Sequence, residues 1–361
     1  MSPTTRLWLT RAIWIGVAVG IGAAVVWSAG FITDPEANRG LVVIAAIALG
    51  VVGVALLFKG MDFVVDRLPA RFRERVRPWI FVGPALLMLG VYLVYPAVNT
   101  TVLSFKGRNS QEWVGLTNFT EIFTDTESLV SLRNSLLWVI IVPLFAVAIG
   151  LTFATLADKL GRRAENAAKS IIFMPMAISM VGASIVWLFV YSFRPPGFGS
   201  QIGVLNGLWT GLGNNPVAWL LQEPWNNLYL MIILIWLQTG FAMVILSAAI
   251  KAVPEEIIEA ARIDGATDWQ IFWRVTFPTI ASTVVVVTTT IIITVWKVFD
   301  IVFVMTGGNF GTAVVAERMV TEFFTFRNNG HGAAFAVILF VAVIPVMAVN
   351  VRQFRIQEER R

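Results

Sequence analysis

The sequence predicts an all-α, polytopic membrane protein, and three observations carry that prediction. Hydrophobic residues fill 57% of the 361 positions and charged residues only 14%, a balance that soluble domains do not show. Eight apolar stretches, at about 12–33, 41–58, 79–103, 135–157, 171–193, 228–250, 279–304 and 332–351, have lengths near the ~20 residues that a helix needs to cross a bilayer. Lys and Arg are asymmetric along the chain. With the N-terminus inside, segments 1–11, 59–77, 158–170, 251–278 and the tail from 352 hold 19 of the 27 basic residues, as cytoplasmic loops do.

Arg6 and Arg11 precede an apolar run, as in a secretory signal. The uncharged stretch from Ala12 to Thr33 is 22 residues long, long for a signal core, and closes on no convincing small-x-small cleavage site, so it reads as a retained span. Residues 1–66 then form an accessory hairpin of two extra N-terminal transmembrane helices, 67–78 a basic cytoplasmic linker, 79–351 a six-span core and 352–361 a cytoplasmic tail. Arg67, Arg71, Arg73, Arg75 and Arg77 flank a span. That is the juxtamembrane pattern, so the net charge of +5 does not imply nucleic-acid binding. Segment 194–227 is rich in turn residues, with Pro195-Pro196-Gly197 and Gly213-Asn214-Asn215-Pro216, and is expected as an outer loop. Its Trp209, Trp219 and Trp225 fit an interfacial aromatic belt. With no cysteine and one histidine, His331, neither a disulfide nor a metal site is expected. His331 reads as a polar residue of an outer loop.

The polar island at 254–278 is the most informative stretch. Pro254 suits a first helical turn, and Glu255, Glu256 and Glu259 stand where a helix dipole favours carboxylates. Gly265 follows where a helix end needs a left-handed residue. Thr267 and Gln270 have capping-box spacing and open a second helix. Pro278 then predicts that this helix ends or bends before the next span.

Glu259-Ala260-Ala261, three residues, Gly265, and Val275-Thr276-Phe277-Pro278 resemble the EAA loop of the membrane subunits of bacterial ATP-binding-cassette importers. The match keeps the Glu, both Ala, the Gly and the Pro, while Val275 and Phe277 replace an Ile and a Leu. Two further runs resemble the sugar-importer branch: Trp113-Val114-Gly115-Leu116-Thr117-Asn118-Phe119 with Leu132-Arg133-Asn134-Ser135, and Phe299-Asp300-Ile301-Val302-Phe303-Val304-Met305-Thr306-Gly307-Gly308. The continuation Asn309-Phe310-Gly311-Thr312 is similar to its α-glucoside members.

The resemblance implies a permease core with a cytoplasmic coupling loop in which Glu255, Glu256, Glu259, Ala260, Ala261, Asp264, Gly265, Phe272 and Pro278 engage the ATPase. It implies two ATPase subunits, a second and usually different permease, an external solute-binding protein and a sugar substrate. This chain is expected to bind no cofactor, with ATP and Mg on the partner ATPase. No Gly-Lys pair occurs anywhere in the chain, so the phosphate-cradling Walker loop is absent. Glu259 and Asp264, in a solvated loop without a nucleophile, offer no acid-base chemistry.

Polar groups at membrane depth should face protein or a water-filled path. Thr288, Thr289, Thr290, Thr294 and Trp296 on the seventh stretch offer hydroxyls and an aromatic face for a sugar, or else bond back to their own and neighbouring helices. Gln238 and Thr239 on the sixth are a second candidate pair. Lys297 and Asp300, three apart, either neutralise each other on one helix face or touch solute. The function expected is a permease subunit of an ATP-driven importer for an α-glucoside or related oligosaccharide. The alternatives are the same machine for glycerol phosphate or glucosylglycerol, or an ion-coupled secondary transporter.

Overall fold

The computed structural model describes residues 30, 31, 37–67 and 69–359. Among them regular structure is helical, and one isolated β-bridge joins Lys106 to Trp113. The chain divides into two compact units, Met1–Pro96 and Ala97–Arg361. The expected first span at 12–33 lies outside the described residues apart from Gly30 and Phe31.

In the first unit α1 (Arg39–Arg67) meets the N-terminal part of α2 (Arg71–Leu103). Phe58 and Phe81 stack at 6.1 Å, and Arg77 lies 3.8 Å from Asp62. The ion pair is exposed and contributes little. The apolar windows of α1 and α2 leave no residue buried, which suits helices that are hydrophobic all round and face lipid.

The second unit contains α3 (Thr117–Thr124), α4 (Thr126–Asp158), α5 (Arg162–Phe173), α6 (Met180–Val190), α7 (Val204–Gly211) and α8 (Trp225–Lys251). After these come α9 (Glu255–Ile263), α10 (Asp268–Trp296), α11 (Asp300–Met305), α12 (Val315–Val320) and α13 (Asn329–Glu359). Six described helices, α1, α2, α4, α8, α10 and α13, are long and apolar enough to cross a membrane, or seven spans if α5 and α6 count as one.

At the centre stands α8. Leu230, Leu234, Met243 and Leu246 are buried with Trp138, Val142 and Ala146 of α4 and with Val287 and Ile291 of α10. Lipid supplies no hydrophobic drive between helices, so close van der Waals packing at small residues must. Gly150 of α4 does this against α8: a Cβ there would lie 2.7 Å from Ala242 Cβ and 2.9 Å from the Met243 nitrogen. Gly240 does it on the α5 side of α8, where a Cβ would come within 2.6 Å of the Ile172 carbonyl oxygen.

The fifth expected span is not one helix. After α5 the chain tightens into a 3-10 turn at Met174–Ala177, passes through extended Ile178, and restarts as α6 at a bend of 100°. Pro175 offers no N–H to continue α5. Ser179 caps α6 by accepting the Gly182 N–H at 3.1 Å. The seventh stretch also differs from expectation, because α10 ends at Trp296 and α11 begins only at Asp300. At the other end of α10, where the sequence predicts an end or bend before Pro278, the helix runs on through a π turn at Phe272–Thr276. The same turn occurs in α2 at Gly90–Val94, again two residues before a proline, Pro96. An inserted residue relaxes the clash between a proline ring and the carbonyl four residues back, so the helix continues.

Gly150→Val should prevent the α4–α8 approach, an overpacking cost of about 1–3 kcal/mol or more. Size-exclusion chromatography and thermal unfolding in detergent should show aggregation or a lowered midpoint. Gly207→Ala in α7, with nothing within 4 Å of the new methyl, should behave as the parent does.

Candidate functional site

The break between α5 and α6 opens a cleft of ≈ 280 Å³, near the lower end of ligand-pocket sizes, ~300–1,000 Å³. Met176, Ile178 and Met180 form one wall, Leu237, Gln238 and Phe241 of α8 a second, and Thr290 and Thr294 of α10 a third. Gln238 is buried, and its amide has no hydrogen-bond partner among the described residues. An amide left bare at membrane depth is costly, and the cleft that Gln238 lines gives a polar partner access to it. Thr290 and Thr294 are four apart and share a face. Their hydroxyls donate to Val286 O at 2.8 Å and Thr290 O at 3.1 Å, leaving oxygen lone pairs for an outside donor.

The other polar residues of these helices point elsewhere. Thr239 donates to Ile235 O at 2.7 Å and Thr288 to Val284 O at 2.7 Å. Thr289 turns toward α13, where it donates to Asn350. The Trp296 indole N–H donates to Leu339 O at 3.1 Å, also on α13. Lys297 and Asp300 make no ion pair among the described residues. They do not share a helix, since Lys297 lies beyond the end of α10 and Asp300 opens α11. The expected pairing on one helix face is therefore corrected.

The 254–278 segment has the expected shape. In α9, Glu255, Glu256 and Glu259 are exposed with no ion pair among the described residues, and Ala260, Asp264 and Pro278 are exposed with them. Ala261 and Phe272 are half-buried. Gly265 has φ +79°. Its N–H donates to Arg262 O at 3.0 Å while Ala266 N–H donates to Ala261 O at 3.0 Å, the paired bonds of a glycine-ended helix. Thr267 and Gln270 complete a reciprocal capping box. Buried Val253 and Ile271 seat the loop on the core, whereas Ile263 is 86% and Trp269 71% exposed. Large apolar side chains exposed beside carboxylates are the composition of a contact surface.

A model of the family described as binding-protein-dependent transport system inner membrane component matches residues 146–357. The chain belongs to this family of permeases. The osmoprotective compounds uptake permease protein GgtC of Synechocystis sp. is 55% identical over 282 residues, covering 78% of this chain and all of that one. The α-glucoside transport system permease protein AglF of Rhizobium meliloti is 48% identical over 295 residues, 81% of this chain and 87% of that one. A chain in the crystal structure of a bacterial ABC transporter involved in import of the acidic polysaccharide alginate aligns at a TM-score of 0.68 and 22% identity, over 79% of this chain and 99% of that one. At that identity the likeness establishes the fold.

In this permease a buried polar structure that the sequence did not announce stands at the end of α8 opposite the 254–278 segment. Residues Thr306–Thr312 make a turn with Gly307, Gly308, Phe310 and Gly311 at positive φ. Buried asparagines pin it. Asn134 donates to Gly311 O at 2.7 Å and Ala313 O at 2.8 Å, and Asn226 to Phe310 O at 2.7 Å. Below lies a larger cavity of ≈ 570 Å³ bordered by Arg133, Glu223, Trp225 and Asn227. Asparagines in the N-terminal parts of α4 and α8 were the available signal, because buried amides must bond to something. Trp209 and Trp219 pack edge to face at 6.1 Å, and Trp225 borders this cavity. His331 is buried in the first turn of α13, its Nδ1 3.3 Å from Glu322, rather than standing in a loop.

Glu317 is buried beside Gly308, where a Cβ would meet its carboxylate at 2.4 Å. Burial pushes its pKa above the usual 4.5, against the Thr321 donor and Arg318, which lower it. A raised folded-state value favours the protonated form in the native protein. Its stabilising contribution is therefore full below the unfolded value and is lost as pH rises through the folded one. Glu317→Gln, which stays neutral, should gain stability relative to the parent as pH climbs from 4.5. Thermal melts of both proteins across that range should diverge, and parallel curves would refute the assignment.

Proposed function

We propose that this permease carries an α-glucoside or related oligosaccharide into the cytoplasm through the cleft at the α5–α6 break. The single observation behind the proposal is that an unpartnered amide, Gln238, and two hydroxyls, Thr290 and Thr294, meet at one interruption of the membrane structure. Neutral donors and acceptors suit sugar hydroxyls. The kinship with an α-glucoside permease supports the cargo class, and the relative named for osmoprotective compounds favours a glycosylated polyol such as glucosylglycerol as the second reading.

In this reading the chain is one of two permease halves, its partner a different chain, served by an extracytoplasmic binding protein and two ATPase subunits that hold ATP and Mg. Both termini are cytoplasmic, as the Lys and Arg asymmetry favours. The eight-span organisation keeps 1–66 as an accessory hairpin, 67–78 as a linker and 79–351 as the core. Residues 254–278 dock on the ATPase, with Glu259 facing it and Gly265 setting the angle between α9 and α10. Alternation between outward and inward access then follows from closure and opening of the ATPase pair. A screen of sugars and glycosylated polyols against the cognate binding protein separates the two cargo readings.

Thr290→Leu and Thr294→Leu should each remove a hydroxyl contact worth about 1 kcal/mol, roughly a fivefold loss in apparent affinity. Proteoliposome uptake should show that loss while the binding protein's own affinity stays unchanged. Unchanged uptake at both positions would move the path to other helices.

Glu259→Ala and Gly265→Val should insert normally yet fail to couple, since a Cβ at positive φ costs about 1–2 kcal/mol and a branched one more. Both should lose the increase in ATP hydrolysis caused by solute-loaded binding protein, and Gly265→Val should also shed the ATPase during purification. Full stimulation in both variants would remove the coupling role from this loop.

A further inference from the structure

One buried ion cluster has no part in the cleft or in the docking face. Glu165 lies in the first turn of α5, and its side chain is only 8% exposed. Lys251, the last residue of α8, reaches both of its carboxylate oxygens, 2.7 Å to Oε1 and 2.8 Å to Oε2. Lys169, one turn along α5, meets the same carboxylate at 2.5 Å. Two ammonium groups thus share one anion. Lys251 stands three residues before Pro254, at the foot of the coupling loop. At its other end α5 runs into Met176 and Ile178, which wall the cleft.

We propose that Glu165 is a positioning residue that fastens the broken helix to the coupling loop, so that the cleft wall and the docking face move as one body. This inference rests on the transport reading above and names the element that transmits it. Gly240 holds the upper end of α5 against α8, and Glu165 holds the lower end. Without the lower tie α5 could tilt about the Gly240 contact while α8 stayed still, and occupancy of the cleft would not reach α9. A second tie joins Lys159 at the foot of α4 to Asp268 at the head of α10, at 3.2 Å with both side chains more than 60% exposed. An exposed pair is screened and weak, so it does not substitute for the buried one. Glu165 itself is buried while the side chains of Lys251 and Lys169 are 47% and 23% exposed, so removing the anion leaves two partly solvated cations facing each other without their shared partner.

The test uses the assembled complex in proteoliposomes, with the partner permease, the ATPase subunits and the binding protein loaded with its sugar. Stimulated and basal ATP hydrolysis are both read. Glu165→Gln should cut stimulation about 10-fold, a usual size for coupling between sites, while basal hydrolysis and retention of the ATPase stay at parent level. Glu165→Asp should recover most of the stimulation, and Lys159→Gln, which breaks the exposed pair from the α4 side, should leave it within about twofold. The chain has no cysteine, so Glu165→Cys with Lys251→Cys can be bridged by a short bifunctional thiol reagent. Stimulation regained on bridging supports a mechanical tie, because a covalent link restores attachment without restoring charge. Equal stimulation in parent and Glu165→Gln overturns the inference alone. So does parallel loss of basal hydrolysis, ATPase retention and thermal stability that bridging does not reverse, since that marks a role in folding only. A parent complex that loaded binding protein cannot stimulate would instead overturn the transport reading itself.

Discussion

Everything in the membrane core depends on how closely two neighbours approach α8. Between membrane helices there is no water to release, so separation of a few tenths of an ångström decides whether dispersion contacts form. Gly150 permits the approach of α4 and Gly240 that of α5, each with backbone or a methyl closer than 3 Å to where a Cβ would stand. These contacts orient the rest. Gln238 stands two residues before Gly240, so fixing the helix at Gly240 also fixes the direction of the amide into the cleft. Lys251 stands three turns below, which places the foot of the coupling loop by the same constraint.

The parts of the fold that the sequence made legible are those set by local chemistry and by solvent. Five of the expected spans, 41–58, 79–103, 135–157, 228–250 and 332–351, lie inside long helices because hydropathy over about 20 residues reports the solvent directly. The 254–270 turn was legible residue by residue, since a positive φ at Gly265 and a cap at Thr267 are local requirements. The break at 174–179 was not. A hydropathy window averages over an interruption of six residues, and Met-Pro-Met-Ala-Ile-Ser is as apolar as its flanks. The end of α10 at Trp296 was missed for the same reason, and with it the separation of Lys297 from Asp300.

The threonines show what a site reading needs beyond composition. Thr288, Thr289 and Thr290 are consecutive, so each points about 100° from the next. They cannot all face one solute. Only Thr290 and Thr294 face the cleft, while Thr289 joins α13 through Asn350. Helical spacing alone could have separated Thr290 and Thr294 from the rest as an i, i+4 pair. It could not have said which face holds the cleft, because that depends on where the broken helix packs. The buried asparagines beneath Thr306–Thr312 went unread because the partners of Asn134 lie 177 and 179 residues away in sequence.

A broken helix at membrane depth frees backbone N–H and carbonyl groups that lipid cannot satisfy. Such a break persists only where protein or a water-filled path covers it. Here α8 covers one side so closely that its own Gly240 leaves no room for a side chain, and the cleft takes the other. The break therefore costs least when a hydrated or solute-filled space adjoins it. A simple lipid-facing bend would be expected to repack as continuous helix. Within the break the Ile178 N–H donates to Pro175 O at 3.1 Å and Ser179 accepts from Gly182, so the protein satisfies part of what the interruption frees, and the Gln238 amide is the polar group that borders the remaining space.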